Sequence, residues 1–168
     1  GTDEQGRDIA ARMVHGSRNS FVISFFAVMI YVLIGIIIGA LAGYFRRLDN
    51  ALMWVNDALM AFPAILLAIA VTSVLGPSTL NVILALSATY WPFWARLVFA
   101  ETRSCKNEPF VEAAIALGCS PYRVMVLHIL PSISSSIIVR TTIGMGGTIL
   151  TAATLGFLGL GPPPPTPE

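Results

Sequence analysis

Two long stretches of the chain carry no charge at all. Asn19 to Phe45 runs for 27 residues without a charged side chain, and Ala58 to Ala95 for 38. As helix, the first would extend about 40 Å at about 1.5 Å per residue, enough to cross a hydrocarbon core of about 30 Å. It predicts a span over 20–44. The second stretch is too long for one crossing and is interrupted by "LGPSTLN", a Gly-Pro turn followed by Ser and Asn, residues that favour helix ends. It predicts a helical hairpin with arms at 52–75 and 79–100, kinked at Pro63 and Pro92. A fourth apolar stretch, 132–155, is rich in Ser, Thr and Gly and carries Arg140, so it is expected to face protein or water rather than lipid. The pattern predicts an all-α fold, a polytopic transmembrane helical bundle.

Composition agrees. Hydrophobic residues make up 55% of the chain and charged residues 11%, against roughly a quarter charged in an average soluble domain, and mean hydropathy is +0.77. A net charge of +1 gives no global basic field, and no nucleic-acid partner is expected. Position of charge is more informative than its sum. Four spans place the opening stretch, the 76–81 turn and the end on one side, with Arg7, Arg12 and Arg18; the other side holds Arg46, Arg47, Arg96, Arg103, Lys106 and Arg123. The positive-inside rule then makes 101–131 a cytoplasmic loop, 1–19 an outer interfacial segment and 156–168 an outer loop. The chain opens on "GTDEQGRD" and ends in "GLGPPPPTPE", and a first and a last span are expected to be absent from it. Cys105 and Cys119 are both on the expected cytoplasmic side, so no disulfide is expected, and they have no metal-ligand spacing. His15 and His128 lack a second ligand nearby, which favours surface or packing roles; no metal site is expected.

The polar loop has strong local order. Pro109 follows Asn107 and Glu108 at a good helix start, and Phe110, Ala113, Ala114 and Leu117 recur at i, i+3, i+4 and i+7 as one apolar stripe. Gly118 ends that helix; Ser120-Pro121 restarts one, with Ser as N-cap and Pro at the first helical position, and Pro131 is expected to stop it. The loop reads as helix, tight turn, helix. Small Ala113 and Ala114 permit close approach of a neighbour, and Glu112 offers a carboxylate to an arginine or to backbone donors. On the residues alone, a connector packed on its own membrane domain and a docking site for a partner are equal readings.

Three further features stand within the spans. Gly35, Gly39 and Gly43 form a small-residue face expected to seat another helix closely. Thr141, Gly144, Thr148 and Thr151 share one face of the last span, suited either to lining a solute path or to bonding between helices. Arg140 could hold a substrate carboxylate or meet a partner, and Asp57 is expected to pair with Arg46, Arg47 or Arg96.

"EAAIALG", nine residues, then "HILP" begins a wider correspondence. It resembles the EAA loop of permease subunits in binding-protein-dependent ABC importers: E-A-A, three residues, G, nine residues, an apolar residue, any residue, L-P. Glu112, Ala113, Ala114, Gly118, Leu130 and Pro131 match, while His128 stands where the general pattern favours Ile. "HILP", "GALAGYF", "DALMAFPAILLAIA", "WPFWARLV" and "LGFLGLGPPPPTP" resemble the peptide and nickel branch, in particular its C-type permease, and the resemblance covers nearly the whole chain. It implies a type I ABC importer permease-like bundle in the cytoplasmic membrane of a bacterium or archaeon, moving di- or oligopeptides or a solute such as a nickel chelate by alternating access. It implies a coupling loop made by Glu112, Ala113, Ala114, Leu117, Gly118, Ser120, Pro121 and Pro131, and a homologous second permease. It also implies two cytoplasmic ATPase subunits that use ATP and Mg, and an extracytoplasmic substrate-binding protein. The chain itself is then non-catalytic and binds no cofactor, in keeping with a sequence without a GxxxxGK[ST] loop. A secondary transporter or channel subunit not powered by ATP would share the composition, but does not need the EAA spacing.

Overall fold

The computed structural model describes Gly1 and residues 8–161; Arg7, the Arg12 side chain and the proline-rich end at 162–168 lie outside the described residues. Among the described residues seven α-helices follow one another: α1 (Ile9–Tyr44), α2 (Arg46–Met60), α3 (Ala64–Leu75), α4 (Thr79–Cys105), α5 (Pro109–Ala116), α6 (Pro121–Val124) and α7 (Leu130–Phe157). A π-helical turn, Met125–Ile129, joins α6 to α7. There is no β-sheet among the described residues. Among the described residues three helical stretches are long and apolar enough to cross a membrane, Ile9–Tyr44, Thr79–Cys105 and Pro121–Phe157, and the pair α2 and α3 could count as a fourth, broken span.

Helix boundaries differ from the charge-free runs in physically readable ways. α1 starts at Ile9, so the opening stretch continues into the first long helix instead of forming an element of its own. Charges at Arg46, Arg47 and Asp49 sit inside α2, because a helix needs backbone hydrogen bonds and not an apolar sequence. Pro63 breaks the chain where a kink was expected. Phe62, held by the following proline out of helical conformation, ends the run, and Pro63 (φ −57°, ψ 124°) becomes the N-cap of α3. Pro92, by contrast, sits fully buried within an uninterrupted α4.

The chain divides into two compact units. The first comprises Gly1–Ile30, Pro63–Thr89 and Gly144–Glu168. Its core includes Ile23, Ala27, Ala68, Val82, Ala85, Leu86, Ala152 and Leu155. The Ser87 hydroxyl lies 2.7 Å from the Ile83 carbonyl and 3.4 Å from that of Ala27, one contact along its own helix and one across to α1. The "LGPSTLN" turn closes both flanking helices. Gly76 takes φ +83°, the Ser78 hydroxyl accepts from the Asn81 backbone N–H (3.1 Å), and the Asn81 amide donates back to the carbonyls of Leu75 (2.7 Å) and Gly76 (3.0 Å). The last carbonyls of α3 are thus satisfied by a side chain from α4.

The second unit comprises Tyr31–Phe62 and Tyr90–Ile143. Here the glycine face of α1 lies directly on α4. A Cβ added to Gly35 would overlap Trp94 Cβ, one on Gly39 would come within 2.5 Å of the Ala95 carbonyl oxygen, and one on Gly43 within 2.8 Å of Thr102 Cβ. No side chain larger than hydrogen fits, so the expected scaffold role of these glycines is met by measured approach. Tyr31 caps the seam, with ring centroids 5.9 Å from Tyr90 and 6.0 Å from Trp94. Asp57 pairs with Arg96, the partner that bridges α2 to α4.

Candidate functional site

The loop 106–131 belongs wholly to the second unit and is built from consecutive stop and start signals. α4 ends as the Asn107 amide donates to the Arg103 carbonyl (3.2 Å). Glu108 is extended, and Pro109 occupies the first helical position of α5, where its missing N–H leaves nothing unsatisfied. Gly118 takes φ +84°. Its N–H donates to the Ile115 carbonyl (2.9 Å) and that of Cys119 to Ala114 (3.1 Å), the paired bonds of a Schellman stop. The Ser120 hydroxyl then accepts from the Arg123 backbone N–H (3.4 Å), starting α6 with Pro121 behind it. Helix end, left-handed glycine and capped restart thus follow one another almost without a gap.

Pro131 does not stop the second helix. The Leu130 N–H reaches back five residues to the Met125 carbonyl, so the turn before the proline is a π turn, and helix continues from Pro121 to Phe157. A wider turn gives the pyrrolidine ring room beside the preceding carbonyls. The expected polar connector is therefore continuous with the last long helix, with no irregular chain between α6 and α7.

Burial separates the loop into two faces. Val111 is completely buried and Ala114 nearly so, as are Val124, Met125 and Ile129; these residues seat the loop on its own unit. Of the stripe read from the sequence, Ala114 turns inward with them, whereas Phe110 is 45% exposed, Leu117 85% and Ala113 exposed; Ile115 (45%) and Tyr122 (74%), outside that stripe, are exposed as well. Of the eight coupling-loop residues, Glu112, Ala113, Leu117, Gly118, Ser120, Pro121 and Pro131 are exposed, and Ala114 is buried. Glu112 makes no ion pair among the described residues. Sequence reading missed Val111 and gave Ala114 to the stripe offered to a neighbour, although the i, i+3 spacing of the two marks one face of a short helix. The result is a firmly capped element that presents apolar side chains and the Glu112 carboxylate.

The residues assigned to a possible solute path divide differently. Arg140 and Thr141 fall in the second unit and Gly144, Thr148 and Thr151 in the first. Arg140 is exposed, Thr141, Gly144 and Thr151 are half-buried, and Thr148 is buried. The hydroxyls of Thr141, Thr148 and Thr151 each donate to a carbonyl four residues back, at 2.7, 2.9 and 3.0 Å.

An all-α chain with several membrane-length helices and a capped helical loop defines a multi-pass membrane component. Residues 31–168 match the model of the family "binding-protein-dependent transport system inner membrane component", and the chain belongs to that family. The family is one of inner-membrane components, and the long apolar helices agree with a multi-pass place in the bacterial inner membrane. Among curated relatives it is 44% identical to the dipeptide transport system permease protein of Alkalihalophilus pseudofirmus, over all of this chain and 56% of that protein. It is 46% identical to the glutathione transport system permease protein of Escherichia coli, again over all of this chain and 56% of the relative. A putative peptide transport system permease protein of Brucella suis is 43% identical over 98% of this chain and 56% of its own length. The chain thus spans a little over half the length of the relatives it matches.

Proposed function

We propose that the chain forms part of the permease subunit of an ATP-driven ABC importer, and that residues 109–131 are the handle through which a cytoplasmic ATPase subunit moves the membrane helices. The observation that carries this reading is the two-faced loop. A connector serving only its own domain would bury its apolar stripe, whereas here Phe110, Ile115, Leu117 and Tyr122 are exposed on an element whose backbone is fixed by a Schellman stop and a serine cap. Two ATPase subunits, each on one of two homologous permeases, would draw these loops together as ATP and Mg bind, and the continuous Pro121–Phe157 helix carries that motion inward. The chain itself is non-catalytic and binds no cofactor. An extracytoplasmic binding protein delivers cargo, and membrane helices rock between outward- and inward-facing states.

Peptides are the cargo favoured by the relatives' names, which specify dipeptides, peptides and glutathione. In the second unit Arg140 and Thr141 could receive a peptide carboxylate, and in the first Gly144, Thr148 and Thr151 could offer polar groups to the path. Uptake of labelled dipeptide by vesicles holding the full permease pair is expected to require added binding protein, ATPase subunits and ATP. Uptake driven by an ion gradient without them rejects the importer reading.

A further inference from the structure

Where α1 gives way to α2, the second unit carries a cleft of about 240 Å³ that the coupling reading does not use. Tyr44, Arg46, Asp49, Arg103, Lys106 and Asn107 line it, three cations against one carboxylate. Asp49 is already engaged by Arg103, Nη1 to Oδ2 at 2.8 Å. Lys106 Nζ donates to the Tyr44 carbonyl oxygen (2.7 Å) and sits 4.7 Å from the centroid of the Tyr44 ring, contacts that fix the ammonium in place without neutralising it. Neither Arg46 nor its neighbour Arg47 pairs with a carboxylate among the described residues.

The start of α2 adds a conflict that points the same way. Phe45 at the N-cap offers no side-chain acceptor, and the first two helical residues are arginines, placed where the helix dipole is already positive. The Leu48 N–H is taken by the Phe45 carbonyl (2.9 Å) and the first-turn carboxylate, Asp49, is drawn to Arg103, so an anion in the cleft would relieve the N–H groups of Arg46 and Arg47 and their like charges. The neighbouring surface says which kind. Leu48, Ala51 and Val55 recur at i, i+3 and i+7 and are all exposed; Trp54, 73% exposed, shares a face with Arg47 and Ala51. A ligand meeting this surface needs an anionic head and an apolar body together, which a free phosphate or an acidic protein face does not have.

We propose that this cleft holds the phosphodiester of an anionic phospholipid of the phosphatidylglycerol class. Arg46, Arg47 and Lys106 supply the charge, the first N–H groups of α2 donate, and an acyl chain lies along Leu48, Trp54 and Val55. The test uses the full-length permease with its partner subunits in nanodiscs of equal phosphatidylglycerol and phosphatidylethanolamine, with retained lipid read by native mass spectrometry. Phosphatidylglycerol is expected to be retained selectively, to fall about tenfold in the Arg46→Gln/Arg47→Gln double variant, and to be unaffected by Arg18→Gln or by added inorganic phosphate. In detergent free of anionic lipid, the double variant is expected to unfold no earlier than wild type, because it removes like charges from a positive helix end; added phosphatidylglycerol then stabilises wild type alone. Equal retention of the two lipids, or undiminished phosphatidylglycerol in the double variant, overturns the proposal. Displacement by inorganic phosphate reassigns the cleft to a free anion, and loss of the ATPase subunits with lipid unchanged reassigns it to a protein contact; either result also overturns it.

Discussion

Two regions of the second unit use glycine for opposite reasons. Along the seam of α1 on α4, Gly35, Gly39 and Gly43 are present because space is absent: a Cβ would overlap Trp94, Ala95 or Thr102. At Gly118 space is plentiful, with nothing within 4 Å of where a Cβ would lie, and the requirement is the backbone angle, φ +84°. The seam holds two long helices together, whereas the turn aims a short helix outward. Stability and the proposed coupling therefore rest on separable residues, and substitutions are expected to break one without the other.

The largest effect is expected at the seam. Gly39→Leu drives a branched side chain into the Ala95 carbonyl and should cost about 3 kcal/mol or more, read as a lowered unfolding midpoint in detergent and poor recovery of folded protein. Next comes the loop's buried side: Val111→Ala removes packing at a fully buried position and is expected to cost about 2 kcal/mol in the same assay. Ser120→Ala, which deletes the α6 cap, should cost about 1 kcal/mol. Smallest in stability is Leu117→Ser, within about 0.5 kcal/mol for so exposed a side chain; its consequence is expected instead in weaker co-purification of the ATPase subunits. Comparable losses of stability at Leu117 and Gly39 would erase the distinction between seam and handle.

The parts of this arrangement that local chemistry decides were readable in the sequence. Three glycines four residues apart announced a close helix contact, and Gly118 followed by Ser120-Pro121 announced a stop and a restart, because each signal acts over one turn of chain. Other outcomes depend on what lies beyond that turn. Pro131 reads locally as a stop, yet a π turn at Met125–Ile129 makes room for its ring and the helix passes through it. Pro63 and Pro92 look alike as interior prolines, yet one breaks its helix and the other is absorbed in the buried stretch of α4. The face of α5 that turns inward was also hidden, since the stripe of Phe110, Ala113, Ala114 and Leu117 splits, Ala114 turning inward with Val111, and tertiary contact decides that split. The basic cleft at Arg46 could not be seen at all without bringing α4's Arg103 and the following Lys106 beside the start of α2.

The account stands most directly on Gly118→Asp. In vesicles containing the full permease pair, binding protein and ATPase subunits, this variant is expected to lose ATP-driven dipeptide uptake while keeping an unfolding midpoint close to wild type, since the substitution strains the turn and leaves the α1 and α4 seam intact. Normal uptake with normal ATPase assembly would contradict the claim that the loop at Gly118 is the handle.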